Sequence, residues 1–211
     1  MENLDLLKDA IVKGDLTTAV EATRKAVTEG GDPQTIINND MSSAMEEIGQ
    51  RFENGQAFVP ELLMAARAMK GALEILQPLL KGDKSKRLST VVIGTVKGDL
   101  HDIGKNLVAS MLEGSGFEVI NLGIDVSTEK FVNAVIEHKP NIVCLSALLT
   151  TTMTYMEEVI VALNNAGLRD KVKIMVGGAP VNEAFAQGIG ADGYSNNANS
   201  AVTLAKKMMA V

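Results

Sequence analysis

Residues Lys97-Gly98-Asp99-Leu100-His101-Asp102-Ile103-Gly104 bring together an imidazole, a carboxylate two positions earlier and a glycine three positions later, directly after the apolar run Thr90 to Ile93. The run and the segment after it read as a strand-to-helix junction, where α/β domains gather ligand chemistry. A histidine that serves a metal commonly gives its second ring nitrogen to a carboxylate, which fixes the tautomer and raises the basicity of the ligating nitrogen. Asp99 stands in the tight loop where it could accept such a bond, whereas Asp102 is placed to cap the next helix. Two later junctions also carry distinctive residues. Ser146-Ala147-Leu148 ends one apolar run, and Gly177-Gly178 ends the next.

The elements that must position these residues follow from two periodicities. Up to about residue 80 the apolar positions recur at three and four: Leu4, Leu7 and Ile11, then Ala19, Ala22 and Ala26, then Ile36, Ile37, Met41, Met45 and Ile48. That spacing is helical. Gly14-Asp15, Gly30-Gly31 and Asp32-Pro33 supply the stops and caps between helices, and a fourth helix runs from near Pro60 through Leu76. Four helices with short connections predict a small bundle over residues 1–82. Residues 81–87 are charged and lack an apolar residue apart from the glycine at 82, so they read as a linker.

From residue 88 to 211 the pattern changes to short β-branched runs alternating with amphipathic stretches. Strands are predicted at Thr90 to Ile93, Glu118 to Asn121, Asn141 to Leu145, Val172 to Val176 and, weakly, Asp192 to Tyr194. Helices are predicted to begin near Asp102, Thr128, Thr152, Asn182 and Asn199. This alternation predicts an α/β domain with a five-stranded parallel sheet of flavodoxin-like or Rossmann-like type, order 2-1-3-4-5. In that order the loop of His101 leaves the first strand, Ser146 ends the third and Gly177-Gly178 ends the fourth, so all three should meet at one edge.

Composition narrows the function classes. The chain has 211 residues, 46% of them hydrophobic, and 26 acidic against 20 basic residues give a formal charge of -6, which disfavours nucleic acid as a partner. Its one cysteine, Cys144, allows no internal disulfide and no cysteine-rich metal cluster. There is no secretory-type N-terminus and no 18-residue apolar run, so a cytoplasmic protein without a membrane span is expected. Cys144 lies inside an apolar strand and His138 at a helix end before Pro140, and both are read as structural.

Asp99-x-His101-x-x-Gly104, with Ser146-x-Leu148 and Gly177-Gly178 in that order, resembles the cobalamin-binding fingerprint of methionine synthases and of corrinoid proteins in multi-component methyltransferase systems. The resemblance covers nearly the whole chain, bundle plus cobalamin-binding domain. It implies cobalamin as cofactor, as methylcobalamin or another corrinoid, with His101 as lower ligand to cobalt. Asp99 and Thr152 would form the proton relay behind that histidine, Thr152 standing where the family has serine. It further implies that Asp102, Ile103, Gly104, Leu148, Ser146, Thr150, Gly177, Gly178 and Tyr194 line the site, the last five of these beside the buried nucleotide tail.

By the same resemblance the bundle is a cap over the upper cobalt face. Phe52 to Leu63 match the cap entry, and Phe58, Leu62, Leu63, Ala65 and Met69 are lid candidates, with bundle core as their other reading. The implied function is a methyl carrier that is not catalytic alone and works with three partners: a substrate-specific corrinoid methyltransferase, a second methyltransferase whose acceptor is tetrahydrofolate or a thiol coenzyme, and a reductive activator. A cobalamin-binding sensor or regulatory protein is the alternative, although the chain has no tryptophan and no basic segment.

Overall fold

The structure is a computed structural model that describes residues 2–80 and 89–209. The expected linker at 81–87 lies outside the described residues. Contacts divide the chain into two compact units: the N-terminal helices together with Ser110–Gly116, and Ser89–Ala109 together with the chain from Phe117 onward.

In the first unit, α1 (Glu2–Lys13), α2 (Leu16–Thr28), α3 (Pro33–Thr35), α4 (Ser42–Glu53) and α5 (Val59–Leu76) are α-helical. The third expected helix is present but not uniform. Between α3 and α4 the chain adopts a π-helical turn at Ile36–Met41, closed by the Ser42 N–H donating to the Ile37 carbonyl. Asp15 caps α2 by accepting the Thr18 N–H at 3.1 Å, and Asp32 caps α3 by accepting the Thr35 N–H at 2.8 Å, with Pro33 at the first helical position. The apolar stripes face inward. Leu7, Ile11, Met41, Leu62, Met69 and Leu76 are fully buried, each contributing roughly 2 kcal/mol by leaving water.

In the second unit, β1 (Thr90–Thr95), β2 (Glu118–Asn121), β3 (Ile142–Ser146), β4 (Lys173–Gly177) and β5 (Gly193–Tyr194) form one sheet of order β2-β1-β3-β4-β5, every pair parallel. Helices α6 (Ile103–Gly114, counted with this unit only up to Ala109), α7 (Thr128–His138), α8 (Thr154–Asn165), α9 (Glu183–Gly188) and α10 (Ala198–Met209) connect and follow the strands. Both faces of the central strands are covered, so β1 and β3 read as unbroken apolar runs: Val91, Val92, Ile142 and Val143 are all fully buried. Gly94 interrupts β1 because Phe131 of α7 packs on it; a Cβ there would stand 2.8 Å from the ring. Among the described residues no helix is long and apolar enough to cross a membrane.

Register aligns the functional edge. Thr95 pairs with Ser146, and Ser146 pairs with Gly177. The chain therefore leaves β1, β3 and β4 at one level, at the switch point between β1 and β3 where α/β sheets open a crevice.

Candidate functional site

The site begins with a carboxylate that is fully buried at the foot of an exposed loop. Asp99 has no accessible surface, while Leu100 beside it is 67% exposed. Asp99 Oδ1 accepts the His101 N–H at 3.0 Å and lies 2.8 Å from His101 Nδ1. Its other oxygen, Oδ2, accepts the N–H groups of Leu148 at 2.7 Å and Leu149 at 3.2 Å and the Thr152 hydroxyl at 2.8 Å. That hydroxyl also lies 2.9 Å from the Leu149 carbonyl; its single proton goes to the stronger acceptor, the charged carboxylate.

Burial by itself would raise the pKa of Asp99. The hydrogen bonds from the Leu148 and His101 N–H groups, the Thr152 hydroxyl and the His101 ring outweigh it and hold the carboxyl well below the usual carboxylate range. An ionised carboxylate only accepts, so the facing His101 Nδ1 carries a hydrogen, and in the neutral imidazole the lone pair is on Nε2. The His101 side chain is half exposed, and the Thr95 hydroxyl fixes its backbone by donating to the His101 carbonyl at 2.9 Å. The result is an oriented imidazole with a free basic nitrogen at the sheet edge.

The flank toward β2 is a polar network. Asp102 precedes α6 as a cap residue does, its carbonyl taking the Asn106 N–H, while its carboxylate accepts the Asn106 side-chain amide at 2.8 Å. Asn106 Oδ1 in turn accepts from Asn121 Nδ2 at 3.1 Å and from Lys105 Nζ, and Lys105 Nζ also donates to Asn121 Oδ1 at 2.8 Å. Lys105 is only 4% exposed. Burial lowers its pKa, and the charge of Asp102 works the other way.

The other expected site residues fall on the same edge with different roles. Ser146 is half-buried at the end of β3, and Leu148 and Thr150 are exposed in the loop after it. Ile103 is 86% exposed at the start of α6, and a Cβ added to the neighbouring Gly104 would meet nothing within 4 Å. Gly104 thus leaves open space for close approach by a ligand. Gly178 does not: with φ at 131°, a Cβ there would lie 1.9 Å from the Ala147 carbonyl oxygen, so this glycine lets the loop after β3 pack against the end of β4. At Gly177 the nearest atom to such a Cβ is the Ser195 carbonyl oxygen at 3.3 Å. Tyr194 is half-buried and packs on the hydrophobic core.

Of the lid candidates in the first unit, Leu62, Ala65 and Met69 are bundle core with no exposure, while Phe58 is 69% and Leu63 40% exposed. Val59, within the expected cap-entry stretch, and Met64, outside it, are exposed as well. Thr95, Lys105, Asn106, Asn121 and Leu149 were missed. Thr95 had a signal, being a hydroxyl residue at the end of an apolar strand; the Leu149 contribution is a backbone amide, to which residue type is silent.

A B12 binding domain family matches residues 89–203, more than half of the chain, and a second B12 binding domain family matches residues 4–77. Trimethylamine corrinoid protein 2 of Methanosarcina mazei is 45% identical over 206 residues, covering 97% of this chain and 94% of that protein. Dimethylamine corrinoid protein 1 of the same organism is 43% identical over 211 residues, covering 99% and 96%. Among solved structures, a chain of the methanol:cobalamin methyltransferase complex of Methanosarcina barkeri superposes with a TM-score of 0.83 at 31% identity, covering 100% of this chain and 81% of that one. The chain belongs to the B12-binding family, as a corrinoid protein of methyltransferase systems with cobalamin as its cofactor.

The donor set suits that group. Among the described residues no cluster of three His, Cys, Asp or Glu could hold a bare metal ion. His101 offers one oriented nitrogen, which is what a metal needs when a macrocycle already fills its equatorial positions.

Proposed function

We propose that this protein carries a methyl group on cobalamin bound base-off and His-on, with His101 Nε2 as the protein ligand to cobalt. The observation that carries the reading is the Asp99–His101 pair: Nδ1 on a buried carboxylate, Nε2 free. Cobalamin, when bound, supplies a cobalt centre able to accept and release a methyl group. The residues of the chain hold and orient. Asp99 keeps the imidazole in one tautomer, Thr152 and the Leu148 and Leu149 amides keep Asp99 ionised, and a proton taken up by His101 would sit on Nε2, the ring nitrogen turned away from Asp99, its charge balanced by the carboxylate on Nδ1.

In this reading residues 1–82 are the cap and 88–211 the cofactor domain, in keeping with the two family matches. Ser146, Thr150, Gly177 and Tyr194 lie beside the displaced nucleotide tail, and Phe58 and Leu63 offer the apolar cover. The methyl donor is of the methylamine class, because relatives named for trimethylamine and dimethylamine resemble the chain almost equally. The partners are a substrate:corrinoid methyltransferase, a second methyltransferase with a tetrahydrofolate or thiol-coenzyme acceptor, and a reductive activator, all working in the cytoplasm.

Loading with hydroxocobalamin, followed by gel filtration and visible spectroscopy beside His101→Ala, tests the assignment. Retention by both proteins with a spectral difference confined to the axial ligand is expected. An identical spectrum in the two would remove His101 from cobalt, and failure of the wild-type protein to retain the corrinoid would end the carrier reading.

A further inference from the structure

The loop after β2 holds a non-glycine residue in the left-handed region. Asp125 has φ of 50°, one of two non-glycine residues with positive φ among those described. Asp125 is exposed, so its unfavourable backbone is not offset by burial. Opposite it stands Gly98, also left-handed with φ of 77°.

The two are joined in a two-point grip. The Gly98 N–H donates to Asp125 Oδ1 at 2.7 Å, and the Asp125 N–H donates to the Asp99 carbonyl at 3.0 Å. One residue thus holds both the Gly98 amide and the carbonyl of Asp99 itself. The flanking pairs, Thr95 N–H to the Gly123 carbonyl and Val126 N–H to the Thr95 carbonyl, extend the join down to the end of β1. Asp99 carries the bond that aims His101, so whatever sets the Gly98–Asp99 segment sets the imidazole.

We propose that Asp125 is a positioning residue for His101. Its carboxylate and amide clamp the Gly98–Asp99 segment from the β2 side, while the Leu148 and Leu149 amides hold the Asp99 side chain from the β3 side. The αL conformation is what turns the Asp125 side chain and its own N–H toward the same two residues, and aspartate combines tolerance of that conformation with a side-chain acceptor. This inference rests on the reading of His101 as cobalt ligand.

Asp125→Gly and Asp125→Asn separate the hydrogen bond from backbone strain. Both tolerate positive φ, but only asparagine keeps an acceptor oxygen. In the protein without corrinoid, NMR-detected hydrogen exchange at the Gly98 amide should quicken by about fivefold in Asp125→Gly, the worth of one hydrogen bond, and return toward wild type in Asp125→Asn. After loading with hydroxocobalamin, the ratio of His-on to His-off spectra should fall by a similar factor in the glycine variant and recover in the asparagine variant. Unchanged exchange at Gly98, an unchanged His-on ratio despite faster exchange, or an asparagine variant as impaired as glycine would each overturn the proposal. Failure of the wild-type protein to retain corrinoid would bring it down through the cobalt reading instead, a case set apart because the exchange at Gly98 would still report an intact clamp.

Discussion

The Thr152 hydroxyl donates to Asp99 Oδ2 at 2.8 Å, the oxygen that His101 leaves unused. Thr152 is 5% exposed and sits in the turn before α8 rather than in the helix expected to begin near it. Removing the hydroxyl while keeping the shape, as in Thr152→Val, should destabilise the protein by about 1.5–3 kcal/mol, because a buried carboxylate loses a charged hydrogen bond. Thr152→Ser keeps the hydroxyl and should lose less than about 1 kcal/mol. Urea unfolding midpoints compare the two, and equal losses would show that the methyl group, not the hydroxyl, matters.

Asp99 also sets an acid limit. Its pKa is lower in the folded chain than in the unfolded one, so the stability it contributes is complete above the ordinary aspartate range and is lost as pH falls through the folded value. Asp99→Asn should be less stable at pH 7 by roughly 2–3 kcal/mol, and should show a shallower fall in stability between pH 5 and 3. Stability curves that stay parallel over that interval would count against Asp99 as the source.

Cys144 makes the opposite prediction at high pH. Burial pushes its thiol up to about 12, so the folded chain keeps the proton that the unfolded chain releases from about pH 8.5. Its contribution should weaken folding by about 1.4 kcal/mol per pH unit above that point, and Cys144→Ala should remove the slope. Iodoacetamide at pH 8 should label Cys144 only at the rate of unfolding; rapid labelling of the native protein would contradict its burial.

Two glycines should separate folding from ligand uptake. Gly178→Ala forces a Cβ to within 1.9 Å of the Ala147 carbonyl oxygen at a positive φ, and should cost about 3 kcal/mol or more unless the loop moves. Gly104→Ala meets nothing within 4 Å and lies in the first turn of α6, where alanine should gain up to about 1 kcal/mol. Its hydroxocobalamin retention should fall all the same. Thermal melts and gel-filtration retention on the two variants decide the matter, and undiminished uptake by Gly104→Ala would mean that no ligand approaches that edge closely.

Strand order and the position of the His101 loop were legible because each rests on apolar spacing that residue types record, whereas the four expected helices of the first unit are five, the third being split into α3 and α4. The π-turn at Ile36–Met41 was not, since its residues keep an ordinary helical pattern and differ only in which carbonyl each N–H meets. Ser146-x-Leu148 pointed to the right loop through its side chains, whereas two of the bonds to Asp99 come from the Leu148 and Leu149 amides. Lys105 gave no sign of burial, because a lysine in a first helical turn is ordinarily solvated. Gly178 was expected beside the nucleotide tail, but the space a side chain would take there is already filled by the Ala147 carbonyl, a backbone contact that residue type does not record.

The pairing of Thr95 with Ser146 has a consequence for change over time. Asp99 meets the Leu148 and Leu149 amides only because both loops start from the same rung of the sheet. Inserting one residue between Thr95 and Asp99, or between Ser146 and Thr152, would displace one partner by about 3.3 Å, farther than a hydrogen bond tolerates. Substitutions can drift around this site, but those two spacer lengths are locked to each other, and anyone transplanting the site to another parallel sheet would have to copy the lengths before the letters.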